Sequence, residues 1–172
     1  MAQDASFSDG ADSALYLGAV TPEDLEVISS ILQDGIFSVK DLAWSKKKRR
    51  VAVLINRFRW ENKSAYSMKK TIPERVRSLL IVDNVLHVSS KGIDRSDINA
   101  PLNLLKLDLN HSKNSIFLTL LLSDFGAIRC EVEAIELSMK DVTRPHKAKS
   151  GKIPNHPMNG DCLLYTSPSP RD

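Results

Sequence analysis

Along most of the chain apolar and polar residues alternate with a period of two; one stretch near the N-terminus follows a helical period instead. In that stretch Leu25, Ile28 and Leu32, with Ile31 beside them, form a single apolar stripe, while Glu23, Glu26, Ser30 and Gln33 face outward. This spacing predicts a helix over 22–33. Thr21 caps it, Pro22 suits the first helical position, and Glu23 and Asp24 favour the positive end of the helix dipole. Asp34-Gly35 ends it. Leu15–Val20, just before, reads as a short strand.

Everything after the helix reads as β structure. Ile36–Trp44 and Val51–Trp60 flank the turn-like stretch Ser45–Arg50 and predict a hairpin. In the second strand Val51, Val53, Ile55, Arg57 and Arg59 share one face; Leu54, Phe58 and Trp60 share the other. A polar loop over 61–73 ends at Pro73. Arg75–Val82 and Val85–Ser90 meet at Asp83-Asn84, a two-residue hairpin signal. Gly92–Pro101 is a loop, and Leu102–Leu109 and Ser115–Leu122 flank the polar turn His111–Asn114. The cleanest alternation comes last: Ile128, Cys130, Val132 and Ala134 point one way, Arg129, Glu131 and Glu133 the other, as in a sheet with one wet face. The order is thus strand, helix, then about seven strands. Without helices between the later strands a doubly wound parallel sheet is disfavoured. The predicted fold class is α+β, mainly antiparallel β, a hairpin-connected roll or partly closed barrel with one N-terminal amphipathic helix.

Composition sets the boundaries. The 172 residues are 42% hydrophobic and 26% charged, enough for one core. Residues 1–13 read as a flexible tail, 14–142 as a single domain, and 143–161, rich in Pro, Lys and His, as a flexible basic tail. No repeat occurs. The last eleven residues, Cys162–Asp172, match one frame of the adapter used in transposase-based sequencing libraries at every position. They are read as a translated adapter on a gene taken from a short environmental fragment. Cys130 is then the sole native cysteine, which excludes an internal disulfide. No apolar run approaches the roughly 18–20 residues of a membrane span. The N-terminus lacks a basic start and an apolar run, so a cytoplasmic protein without membrane contact is expected.

The net charge of +3 hides a segregation. Residues 1–43 carry eight acids and one base, Lys40, for a net of −7; residues 44–77 carry twelve bases and two acids, for +10. The candidate binding residues are Lys46, Lys47, Lys48, Arg49, Arg50, Arg57, Arg59, Arg75 and Arg77. Five crowd the predicted hairpin tip and four could line a sheet face. Such a surface suits an acidic protein or RNA, since bases gain affinity by releasing counterions from nucleic acid. Phe58, Trp60 and Tyr66 could stack on unpaired bases. The bland alternative places Phe58 and Trp60 in the core and pairs the bases with Glu131, Glu133 or the acidic N-terminal segment.

Catalytic signatures are missing. No glycine-rich phosphate loop and no nucleophile elbow can be read. His87, His111, His146 and His156 show no metal-ligand spacing, so no metal and no cofactor is expected. His87 is the only partner Cys130 could have in a thiol dyad. Glu131 and Glu133 share a face, most simply an exposed polar one. Asn62-Lys63-Ser64 is a formal glycosylation sequon.

Several stretches together resemble an uncharacterised alphaproteobacterial family, domain of unknown function 2948. They are Leu15–Leu32, Asp41–Trp44, Arg49-Arg50, Leu54–Glu61, Lys91–Asp94, Pro101–Leu107 and Ala127–Glu136. The similarity runs over about residues 15–146; Lys46–Lys48 and Asn62–Thr71 are more basic and longer than the family pattern. The resemblance implies a small bacterial cytoplasmic protein and supplies no catalytic residue. The reading that follows is a non-enzymatic binding module with a basic surface over 46–77. The alternative is a small-ligand or phosphometabolite protein, or an enzyme, using an arginine-lined pocket. Self-association through exposed strand edges is a third reading.

Overall fold

A computed structural model describes residues 14–60 and 74–147. The tail over 1–13, the loop with its sequon and Tyr66, Lys63, Lys69, Lys70, His156 and the stretch from 148 through the adapter lie outside the described residues.

The chain begins with β1 (Tyr16–Ala19) and α1 (Pro22–Leu32). As predicted, Thr21 is the N-cap, accepting from the Asp24 N–H at 3.2 Å, and Leu25, Ile28 and Leu32 are the buried residues. Asp34, just past the helix, takes the left-handed conformation (φ 64°). Gly35 then passes so close to β4 that a Cβ there would lie 2.5 Å from Ile55 Cγ2. Only glycine tolerates that approach.

The predicted strand 36–44 is split into β2 (Ile36–Phe37) and β3 (Leu42–Ser45) by a 3-10 turn, Val39–Asp41. A carboxylate cap makes the break: the Asp41 carboxylate accepts from the Ser38 N–H at 3.0 Å and the Ser38 hydroxyl at 2.9 Å. The remaining strands are β4 (Arg50–Phe58), β5 (Glu74–Val82), β6 (Val85–Lys91), β7 (Leu102–Ser112), β8 (Ser115–Leu122), β9 (Ala127–Val132), β10 (Leu137–Asp141) and β11 (His146–Lys147). β11 carries strand pairing past Val142, the expected end of the domain.

These strands form one antiparallel sheet in the order β1-β10-β5-β4-β2-β7-β8-β9-β6, with β3 beside β4 and β11 beside β5. The end strands β1 and β6 do not pair, so the sheet is a roll and not a closed barrel. Its two halves join at β2, where Ile36 pairs with both Asn56 and Asn103. Leu25, Ile28 and Leu32 of α1 share one apolar core with Val53, Leu80, Leu104, Leu120 and Cys130 from both halves. Ser29 of α1 also accepts from the Leu107 N–H at 2.9 Å.

The β3–β4 and β7–β8 hairpins form as the alternation predicts. The hairpin predicted at Asp83-Asn84 does not. β5 is already flanked by β4 and by β10 with β11, while β6 pairs with β9. Only Asn84 of the pair has positive φ, whereas a type I′ turn needs it at both centres. The Asp83 N–H donates to the Glu136 carbonyl and the Glu133 N–H to the Asn84 carbonyl, both at 2.9 Å. The dipeptide is therefore a corner that carries the chain between the two halves of the sheet.

Candidate functional site

β4 sorts the predicted basic residues by parity. Arg57 follows Val51, Val53 and Ile55 on the core face and is fully buried. Its Nη2 lies 2.8 Å from Asp141 Oδ2, and its Nε lies 3.0 Å from both Asp141 Oδ1 and Ser78 Oγ. Nη1 donates to the Phe58 carbonyl at 3.2 Å. Burial pushes the Asp141 carboxyl up. Hydrogen bonds from Arg57, Ser78 and the Leu15 N–H, with the Arg57 charge, outweigh that and hold it below the usual carboxylate range. Arg59 is also buried and pairs with Glu74, whose carbonyl accepts the Arg59 N–H at 3.0 Å. Arg57 and Arg59 thus do not belong to the basic surface the sequence suggested. A charge whose Cβ faces the core is retained only with a partner, and each has an acid.

The tip of the β3–β4 hairpin carries the other five. Lys46, Lys47, Lys48, Arg49 and Arg50 are all exposed. The two arginines are held: Arg49 Nη1 is 2.7 Å from Glu133 Oε1 and Arg50 Nε is 2.7 Å from Asp83 Oδ1. Pairing with Glu133 is what the bland alternative expected of one of these bases. The turn itself is pinned, because Lys48 N–H donates to Ser45 Oγ at 3.3 Å and Val85 N–H to the Arg49 carbonyl at 2.9 Å. Among the described residues Lys46, Lys47 and Lys48 make no ion pair.

Arg75 and Arg77 lie on the outer face of β5. The Arg75 guanidinium stands 5.8 Å from the Phe58 ring centroid and donates to the Asn56 carbonyl at 3.1 Å. Its burial lowers the guanidinium pKa, and the nearby Asp34 charge works the other way. Phe58 is buried and stacks at a tilt on Trp60, 4.8 Å between centroids; Trp60 Nε1 donates to the Gln33 carbonyl at 3.0 Å. Both aromatics therefore sit at the end of β4 away from the lysine tip.

Arg77 is exposed and opens a different feature. In register across the outer face run Arg77, Asn56, Ile36 and Asn103. Together with Ser38, Lys40, Leu54 and Asn99, Arg77, Asn56 and Ile36 line a groove of about 410 Å³. The Lys40 N–H donates to the Ile98 carbonyl at 3.2 Å, which ties the 92–101 loop to the 3-10 turn as one wall. The Arg77 backbone is fixed on both sides, donating to Thr143 Oγ1 at 3.0 Å and accepting from the Val142 N–H at 2.8 Å. The Oδ1 atoms of Asn56 and Asn103 are buried without a hydrogen-bond partner. Each such atom costs about 1–3 kcal/mol. Sequence reasoning missed Lys40, Asn56 and Asn99 as site residues. The available signals were an asparagine inside an apolar strand, where it is disfavoured, and Lys40 as the one base in an acidic segment.

Other candidates separate. Val88, not His87, pairs with Cys130, so His87 lies on the opposite face of the sheet from that thiol. Burial pushes the Cys130 thiol up to about 12. A reactive thiolate needs the reverse. Glu131 accepts from Ser115 Oγ at 3.1 Å, and Arg129 stands 4.6 Å from the Phe117 ring centroid. Among the described residues no three His, Cys, Asp or Glu side chains are grouped to hold a metal ion. None of the described helices is long and apolar enough to cross a membrane.

Residues 15–156 match the family described as "Protein of unknown function (DUF2948)". No curated protein and no solved structure matches the chain.

Proposed function

The chain belongs to the DUF2948 family, and from that premise we propose that it is a non-enzymatic binding module whose β3–β4 tip captures an acidic protein. The observation that carries this reading is the contrast within the tip. Arg49 and Arg50 are held by Glu133 and Asp83, while Lys46, Lys47 and Lys48 project from the pinned turn without an acid. A pre-shaped cluster of like charges steers an oppositely charged partner and raises its on-rate.

The aromatics favour a protein over RNA as partner. Binding to single strands draws on rings that stack on bases. Phe58 and Trp60 are occupied with each other and with Gln33, at the far end of β4. A cytoplasmic setting in a bacterium suits this reading.

The test uses the full chain with a glutamate-rich peptide and with oligouridine as probes. The peptide should bind, weaken as salt rises, and lose about tenfold or more in affinity when Lys46, Lys47 and Lys48 are all changed to Glu. Stronger binding of oligouridine would replace the acidic protein by RNA. Peptide binding that the triple change leaves untouched would reject the tip.

A further inference from the structure

The groove under Lys40 and Arg77 is separate from the lysine tip and is built differently. Its two cations come from different elements, the 3-10 turn after β2 and strand β5. Among the described residues neither side chain has an acid partner, although Arg49, Arg50, Arg57, Arg59 and Lys106 each do. The acid on the lining, Asp41, is already engaged by the Ser38 N–H and hydroxyl. Beside the apolar Ile36 and Leu54, the lining carries two amides. Asn56 stands directly across from Arg77 in register, and Asn99 comes from the tethered loop.

We propose that this groove is a binding site for a small ligand bearing an acid group, phosphate or carboxylate. Lys40 and Arg77 take the acid oxygens, and the amides of Asn56 and Asn99 meet polar groups on the rest of the molecule. Four observations converge on this. The site is concave, and its volume of about 410 Å³ falls within the range of metabolite pockets. An Arg and a Lys on one groove lining give a planar donor fork and a mobile point charge, the usual pair for phosphate or carboxylate. Arg77 is held by backbone hydrogen bonds on both sides, so less order is lost when a ligand arrives. Finally, the buried Oδ1 atoms of Asn56 and Asn103 flank Ile36 without partners. Of these two, Asn56 lies on the groove lining, and an orphaned amide oxygen there calls for a reason other than stability.

The experiment is an NMR titration of the full chain, following the Asn side-chain amides, with inorganic phosphate and separately with malonate. At least one probe should give saturable shifts at Asn56 and Asn99. Arg77→Gln and Lys40→Gln should each weaken that binding by about tenfold, while the Lys46, Lys47 and Lys48 to Glu chain keeps it. Saturation by phosphate alone assigns phosphate esters, and by malonate alone carboxylates; by both, it supports the shared chemistry. Saturation by neither overturns the proposal, as does binding that Arg77→Gln and Lys40→Gln leave unchanged. The tip is read by peptide binding and this site by the amide shifts, so failure of one is distinguishable from failure of the other.

Discussion

Arg57 on β4 and Asp141 on β10 form an ion pair across the intervening strand β5, with Nη2 and Oδ2 2.8 Å apart and both side chains nearly inaccessible to water. Ser78 of β5 lies between them and bonds to both. The pair ties β10, and through the Leu15 N–H also the segment before β1, to the middle of the sheet.

Breaking that pair from one side leaves a buried charge. Asp141→Leu or Arg57→Met is expected to destabilise by about 3–5 kcal/mol. The double change of Arg57→Met with Asp141→Leu should cost far less than the two single changes together. Urea midpoints of the four chains check this; additive losses would contradict it.

The same carboxyl sets a pH dependence. Its folded pKa lies below the usual range, so its contribution is complete above the unfolded value of about 3.9. As pH falls below that, the unfolded chain takes up the proton first and stability drops, down through the folded pKa. Ser78→Ala removes one of the bonds that depress the pKa. It should shrink the loss measured between neutral and acid pH, and an unchanged loss would exclude Asp141 as a source of the acid sensitivity.

With a thiol pushed up to about 12, Cys130 is expected to stay unmodified by thiol reagents in the folded protein at mildly alkaline pH. Labelling at Cys130 should appear only with unfolding, read by peptide mass spectrometry so that Cys162 is scored separately. Rapid labelling of the native chain would show that β9 opens.

Gly35 lets the helix exit pass close against the sheet. A Cβ there would lie 2.9 Å from the Leu32 carbonyl oxygen as well as 2.5 Å from Ile55 Cγ2. Gly35→Ala should therefore destabilise by about 1–3 kcal/mol. Combined with Ile55→Ala, which vacates the space, the loss should be smaller than the sum of the two. A neutral Gly35→Ala would refute the steric reading.

Parts of this were legible in one dimension. The α1 stripe of Leu25, Ile28 and Leu32, and the inward set Ile128, Cys130 and Val132, follow from period alone, because neighbouring Cβ directions are set by local backbone geometry. Even the burial of Arg57 and Arg59 was implicit in their parity with Val51, Val53 and Ile55. Their partners were not, since Asp141 is 84 residues from Arg57 and no local pattern names it. The Asp83-Asn84 turn was visible as a turn. That the strands it joins do not pair with each other depended on β5 having both edges occupied.

The sequence by itself determined the α+β class, the antiparallel strands, the single amphipathic helix and which side of each strand would face apolar neighbours. These depend on interactions within a few residues. Tertiary structure decided that the nine candidate bases separate into a lysine-bearing tip, two buried arginines each paired with an acid, and an outer face. It alone brought Lys40, Asn56, Arg77 and Asn99 to one groove. Those outcomes rest on strand order and long-range register, which many segments compete to satisfy and which are settled only when the whole sheet closes over its core.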